Sequence, residues 1–206
     1  MIIRFITRSV DGMFLPMVEP LPDALPILLR AAPGTVLIRS PRLRLRSFEM
    51  ADAEGVFACI TPAVARFMTW EPPNSFAEFA AQRQAMLDAK APGNLSLVIR
   101  QDDNSECLGV AALESADAPC PTLGLWLKVE AQGCGYGREV VGALVGWASH
   151  HRRAEGFHYS VAAENVRSRR IAESLGGVII SHHATPKYAA IVYRIPAIVP
   201  RESLHG

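Results

Sequence analysis

The chain has 206 residues, half of them hydrophobic, and 21 Lys+Arg against 20 Asp+Glu leave a formal charge of +1. A domain of that size buries roughly 70% of the surface its unfolded chain exposes, so it needs neither disulfides nor a structural metal to fold. The balanced charge speaks against a dedicated nucleic-acid binder, which draws affinity from a basic excess, and cysteines at 59, 107, 120 and 134 form no Cys-x-x-Cys pair for a zinc knuckle or a redox dithiol.

Residues 1–34 hold Pro16, Pro20, Pro22, Pro26 and Pro33, a density incompatible with a helix interior or a central strand. They are expected to form an extended arm, with apolar Ile27, Leu28 and Leu29 packing on its own domain or on a second copy in a homodimer. Residues 1–15 are interrupted by Arg4, Arg8 and Asp11, and no apolar stretch approaches the roughly 18 residues of a membrane span. A cytoplasmic location without membrane contact is the expectation.

Residues 35–196 read as one mixed α/β (α+β) domain, because short alternating runs are separated by helical periods; residues 197–206 form a tail. Residues 36–38 and 43–48 are extended. Asp52 is placed to cap a short helix carrying Val56, Phe57 and Ile60 on one face. Ser75-Phe76-Ala77-Glu78 is a capping box opening a helix to about residue 91, with an apolar stripe at 76, 79, 80, 86 and 87. Leu95, Leu97 and Ile99 alternate before Asp102-Asp103-Asn104, and Leu108, Val110 and Ala112 alternate after it, which predicts a hairpin. Leu123, Leu125 and Leu127 mark the next strand.

That strand leads into Ala131-Gln132-Gly133-Cys134-Gly135-Tyr136-Gly137, then a helix carrying Val140, Val141, Leu144, Val145 and Ala148. A further strand covers residues 157–163, a helix capped by Asn165 runs to Leu175 before Gly176-Gly177, and two strands near 178–182 and 188–195 follow.

The glycine loop carries the chemistry. Unpaired N–H groups at a helix N-terminus sit at the positive end of its dipole and suit a phosphate. Glycines permit positive φ and close approach. A dinucleotide fingerprint needs Gly or Ala where Arg138 stands and an acid near Phe157, which disfavours a nicotinamide oxidoreductase. A P-loop needs Gly-Lys-Ser/Thr, and Gly137-Arg138-Glu139 does not supply it.

What remains, Gln132-x-x-Gly135-x-Gly137, resembles the pyrophosphate loop of the GNAT N-acetyltransferase superfamily, Arg/Gln-x-x-Gly-x-Gly/Ala. Asn165-Val166-Arg167-Ser168 is similar to the Asn-x-x-Ser element of the branch that acetylates ribosomal-protein N-termini, with its aminoglycoside and polyamine relatives. Arg42-Leu43-Arg44-Leu45-Arg46 and Met68-Thr69-Trp70-Glu71-Pro72 are also similar to that branch, and the resemblance spans about residues 40–195.

The resemblance implies a mostly antiparallel, V-shaped central sheet flanked by helices on both sides, and acetyl transfer from acetyl-CoA to a primary amine by direct attack, without a metal. The amine is a peptide N-terminus or a small molecule. Backbone amides of Gln132, Gly133, Cys134, Gly135, Tyr136, Gly137 and Arg138 are then expected to hold the pyrophosphate. Asn165 and Ser168 face the pantetheine, with Ser168 a donor to the departing thiolate, and the backbone of Leu125, Trp126 and Leu127 polarises the thioester. Trp70 and Glu71 are expected at the acceptor. The amine must lose a proton, and Glu114, in phase with Leu108, Val110 and Ala112, is the first candidate base, with Glu71 the second.

The chain departs from that branch at Thr122, where an acid is frequent, at Ala172, where the superfamily often has a tyrosine, and at Gly177, where the branch has Phe. These departures feed an alternative, a CoA-binding module without turnover. Asn165 by itself is equally a plain N-cap. His150-His151 and His182-His183 make no chelate, because neighbours are about 100° apart on a helix and on opposite faces of a strand.

Overall fold

The computed structural model describes residues 3–10, 13–20, 35–89 and 93–198. β1 (Ile3–Val10) and β2 (Met13–Pro20) pair antiparallel in a two-stranded sheet of their own. Ile27, Leu28 and Leu29, residues 90–92 and the tail beyond residue 198 lie outside the described residues.

Eight strands form the main sheet: β3 (Leu37–Arg39), β4 (Leu43–Ser47), β5 (Leu95–Gln101), β6 (Cys107–Glu114), β7 (Thr122–Leu127), β8 (Gly156–Ala162), β9 (Val178–Ala184) and β10 (Ala189–Pro196). Their order is β3-β4-β5-β6-β7-β8-β10-β9, with β7–β8 the single parallel pairing among the described residues. The helices are α1 (Ala53–Ala58), α2 (Pro62–Ala65), α3 (Phe76–Asp88), α4 (Tyr136–His151) and α5 (Val166–Ser174). This is the mostly antiparallel α/β sheet that the resemblance implied.

Alternation along each strand divides the core between two faces. Leu43, Leu45, Leu97 and Ile99 join Val140, Val141, Leu144 and Val145 of α4 on one face. Val98, Val110 and Trp126 join Val56 of α1 and Phe79 of α3 on the other. Helices therefore cover both sides, and burial of these side chains, at roughly 1.5–3 kcal/mol each, dominates the stabilisation.

Four local expectations are corrected. The pairing of β5 with β6 shifts between Ile99 and Arg100, because Ile99 opposes Gly109 while Arg100 opposes Cys107. Leu108 is the extra residue of a bulge, so it faces the α4 core while Val110 faces the α1 core. The alternation of Leu108, Val110 and Ala112 thus breaks at its first step. Asp52 does not cap α1 with its side chain; it is 2% exposed and takes Arg46 and Arg100 at 2.7 and 2.9 Å. In α3 only Phe79 is buried, against Phe57, whereas Phe76, Met86 and Leu87 stay exposed. Ser75 does accept from the Glu78 amide, but the Glu78 carboxylate reaches back to Asn74.

Candidate active site

β7 delivers the chain to a glycine loop at the N-terminus of α4. After a single 3-10 turn, Val129–Ala131, the Gln132 side chain donates to the Leu127 carbonyl at 3.0 Å and holds the loop against the strand end. Gly133 and Gly135 have φ of +83° and +82°, a region costly for residues with a Cβ. Gly135 is the N-cap of α4, with Tyr136 as first helical residue, and Gly133, Cys134 and Gly135 are exposed. Sixteen residues of helix thus aim their positive end at open surface.

The three glycines serve different purposes, which corrects the expectation of one common role. A Cβ on Gly133 would meet nothing within 4 Å, and one on Gly135 only Arg42 Nη2 at 3.5 Å. A Cβ on Gly137, by contrast, would lie 2.7 Å from Ile171 Cδ1, so Gly137 lets α5 and β7 pack against α4.

A brace that sequence reasoning did not assign fixes the loop from outside. Arg42, in the bend before β4, places Nε and Nη2 each 2.7 Å from Glu139 Oε2. Its Nη1 donates to the Cys134 carbonyl at 3.1 Å, and its guanidinium stands 4.5 Å from the Tyr136 ring centre. Glu139 Oε1 also accepts from the Arg42 amide and the Ser40 hydroxyl. The partners are 97 residues apart, so no local pattern advertises the pair. Arg44 and Arg46 of the same motif turn instead to Asp102 and Asp52.

Beside this loop the sheet opens. β7 pairs with β8 at Thr122↔His158 and Leu123↔Tyr159 only. The amide of Lys128 donates to Leu108, so alternation assigns the even-numbered backbone groups of β7 to β6 and turns those of Leu125 and Leu127 toward the gap. Trp126 is therefore corrected: its backbone belongs to the β6 ladder, and its indole lies in the opposite core, 6.2 Å from the Trp70 ring.

α5 closes the other side of the gap. Asn165 Oδ1 accepts from the Ser168 amide at 3.2 Å, which is an N-cap, and the Ser168 hydroxyl meets the Tyr159 hydroxyl at 2.7 Å. The Tyr159 side chain is buried, and burial raises its pKa while the Ser168 contact partly offsets the rise. Gly176, at φ +78°, ends the helix with its amide on the Glu173 carbonyl.

On the far face Trp70 and Glu71 are strapped to the β9–β10 turn by Lys187, another residue sequence reasoning did not single out. Its ammonium lies 2.7 Å from Glu71 Oε1 and donates to the carbonyls of Ala65 and Trp70 at 3.2 Å each. Glu114 does not join this group. It is exposed at the end of β6 opposite Thr122, whereas Trp126 opposes Val110, about 13 Å further along the strand. Among the described residues no three His, Cys, Asp or Glu side chains gather to hold a metal ion, and no helix is long and apolar enough to cross a membrane.

The acetyltransferase (GNAT) domain family matches residues 42–178, more than half of the chain. Among solved structures, the chain is similar to RimL, a ribosomal L7/L12 alpha-N-protein acetyltransferase in complex with coenzyme A, with 16% identity and a TM-score of 0.69 over 79% of this chain and 98% of that one. A GNAT-family acetyltransferase from Bacillus anthracis has 16% identity and a TM-score of 0.67 over 78% and 98%. A GCN5-related N-acetyltransferase from Brucella melitensis has 15% identity and a TM-score of 0.65 over 78% of each chain. No curated protein matches the sequence. With the family's domain spanning the glycine loop, the opened sheet and α5, the chain belongs to the GNAT acetyltransferase family.

Proposed function

We propose that the protein transfers acetyl from acetyl-CoA to the α-amine of a peptide, by direct attack within a ternary complex. The observation that carries the reading is the exposed glycine loop at the α4 N-terminus, set at the mouth of the gap between β7 and β8. The amides of Gly133, Cys134, Gly135, Tyr136, Gly137 and Arg138 would hold the pyrophosphate, because the helix dipole favours an anion there, whereas the Gln132 amide already donates to the Val129 carbonyl at 3.1 Å. The open space around Gly133 and Gly135 fits a ligand at van der Waals distance from the loop.

Pantetheine would run past Asn165 and Ser168 into the gap, where the backbone of Leu125 and Leu127 meets the thioester and polarises its carbonyl. The thioester would then reach the Trp70 face, where Trp70 and Glu71 receive the amine. Holding both reactants in one cleft supplies much of the rate.

Proton chemistry favours an α-amine as the acceptor. An α-amine titrates near 8 and a lysine-like amine near 10.4, so presenting the neutral form at pH 7 costs about 1.4 and about 4.6 kcal/mol respectively. Of the two carboxylates nominated as base, Glu114 lies at the wrong end of its strand and Glu71 is paired with Lys187. With Glu71 engaged by Lys187, the α-amine is the acceptor that fits, because its proton can pass to water. Glu71 orients the amine rather than deprotonating it.

The test is the melting temperature with and without acetyl-CoA, followed by thiol release against a serine-initiated peptide, spermidine and kanamycin. Stabilisation by acetyl-CoA with release on the peptide is the expected result. No stabilisation would overturn the loop assignment, and turnover on the polyamine or aminoglycoside alone would overturn the choice of acceptor.

A further inference from the structure

The Ser168 hydroxyl has a partner whose own needs decide which way the proton points. Tyr159 opposes Leu123, the last residue at which β7 and β8 pair, so it stands at the apex of the gap. Its side chain is buried, and its hydroxyl lies 2.7 Å from Ser168 Oγ, where either oxygen is close enough to donate. Ser168, by contrast, is only half-buried.

A buried hydroxyl proton without an acceptor is costly. If Ser168 donated to Tyr159, the phenolic proton would need another acceptor, and among the described residues Ser168 is the only side chain hydrogen-bonded to that hydroxyl. The favoured arrangement therefore has Tyr159 donating to Ser168 Oγ, which leaves the Ser168 proton free to point out of the core. The neighbouring tyrosine on β10 shows the contrast: Tyr193 donates to Glu173 at 2.8 Å and accepts from Arg169 at 3.2 Å, so its hydroxyl is satisfied without reaching the gap.

We propose that Tyr159 is a positioning residue for acetyl transfer, orienting the Ser168 hydroxyl as a hydrogen-bond donor to the sulfur of the departing CoA; this rests on the reading of Ser168 given above. The amine lone pair forms the N–C bond, the C–S bond breaks with its electron pair on sulfur, and the ammonium proton leaves to water. No proton leaves the Tyr159–Ser168 pair. A phenol held above its ordinary value of 10 by burial is a weaker acid than a thiol near 8.5, so the pair stabilises the thiolate without neutralising it. One donor strengthening another in a chain makes Ser168 a better donor than an isolated serine. The pair thereby offers a donor in an element that has Ala172 where the superfamily often has tyrosine.

The experiment titrates the thiol of bound CoA by its ultraviolet thiolate absorbance in wild type, Tyr159→Phe, Ser168→Ala, the double variant and Tyr193→Phe. Tyr159→Phe is expected to make the bound thiol about five- to tenfold less acidic, a loss on the scale of one hydrogen bond. Ser168→Ala should do at least as much, the double variant no more than Ser168→Ala, and Tyr193→Phe nothing. With the serine-initiated peptide, Tyr159→Phe should lower kcat by a similar factor, leave the KM for acetyl-CoA unchanged and leave the shape of the pH profile unchanged.

A normal thiol titration in Tyr159→Phe alongside a raised one in Ser168→Ala would overturn the role of Tyr159 while the role of Ser168 stood. Normal titrations in both would remove the reading of Ser168 itself. Stability supplies a second measurement: Ser168→Ala strands the buried phenolic proton, so adding Tyr159→Phe should raise the melting temperature of Ser168→Ala. A further fall on that addition would show that the phenol keeps another partner and would overturn the pairing on which the proposal rests.

Discussion

Gly135→Ala separates what the glycine loop does for the fold from what it does for the ligand. In the protein the new methyl meets only Arg42 Nη2 at 3.5 Å, an ordinary contact, so the intramolecular cost is conformational. Holding alanine at φ +82° costs about 1–2 kcal/mol. At roughly 2–4 °C per kcal/mol for a domain of this size, the unliganded variant should melt about 2–8 °C below wild type and stay folded. In wild type, acetyl-CoA at one hundred times its dissociation constant contributes about 2.7 kcal/mol, or about 5–11 °C. If the methyl occupies phosphate space and weakens binding about a hundredfold, the same concentration contributes about 0.4 kcal/mol, a shift near 1 °C. The assay is a thermal melt with and without acetyl-CoA, with Cys134→Ser as the loop control that keeps the full shift. A full ligand-induced shift in Gly135→Ala would refute the assignment of these amides to the pyrophosphate.

The Arg42 brace is tested by Arg42→Ala, which removes the two contacts to Glu139, the hydrogen bond to Cys134 and the stacking on Tyr136. Because Arg42 is half exposed, the expected stability loss is only about 1 kcal/mol, read by urea melts, while acetyl-CoA affinity measured by calorimetry falls severalfold. Lys187→Met releases the strap on Trp70 and Glu71 and should raise the KM for the amine with no change in acetyl-CoA affinity; an unaltered KM would place the acceptor elsewhere. Tyr159, raised by burial, stays neutral in the folded protein above the pH near 10 at which it ionises in the unfolded chain. Its contribution is complete below about pH 10 and is lost as pH rises from there through the folded value, so above about pH 10 the urea midpoint should fall more steeply in wild type than in Tyr159→Phe.

The sequence by itself determined the parts of this protein whose signals are local. Period-two runs at 95–99 and 123–127 and the helical period of Val140, Val141, Leu144 and Val145 specify strands and a helix, since each residue's face follows from backbone geometry alone. The loop between them is legible for a similar reason. Gln132-x-x-Gly135-x-Gly137 encodes a turn, a cap and a helix end within six residues, and Gly135 does adopt the left-handed cap. Asn165 likewise caps α5 within its own helical turn.

Only the tertiary structure decided what depends on residues far apart in the chain. A one-residue bulge at Leu108, invisible to a count of alternating positions, changes which face follows, and strand register leaves Glu114 beside Thr122. Arg42 meets Glu139 across 97 residues, and Lys187 reaches the Ala65 carbonyl across 122. The separation of β7 from β8 after Leu123 is a property of the twisted, paired sheet, and so is the meeting of Tyr159 with Ser168 at its apex. Local geometry is written residue by residue, whereas a site is an intersection of elements whose relative placement is set by the packing of the whole core.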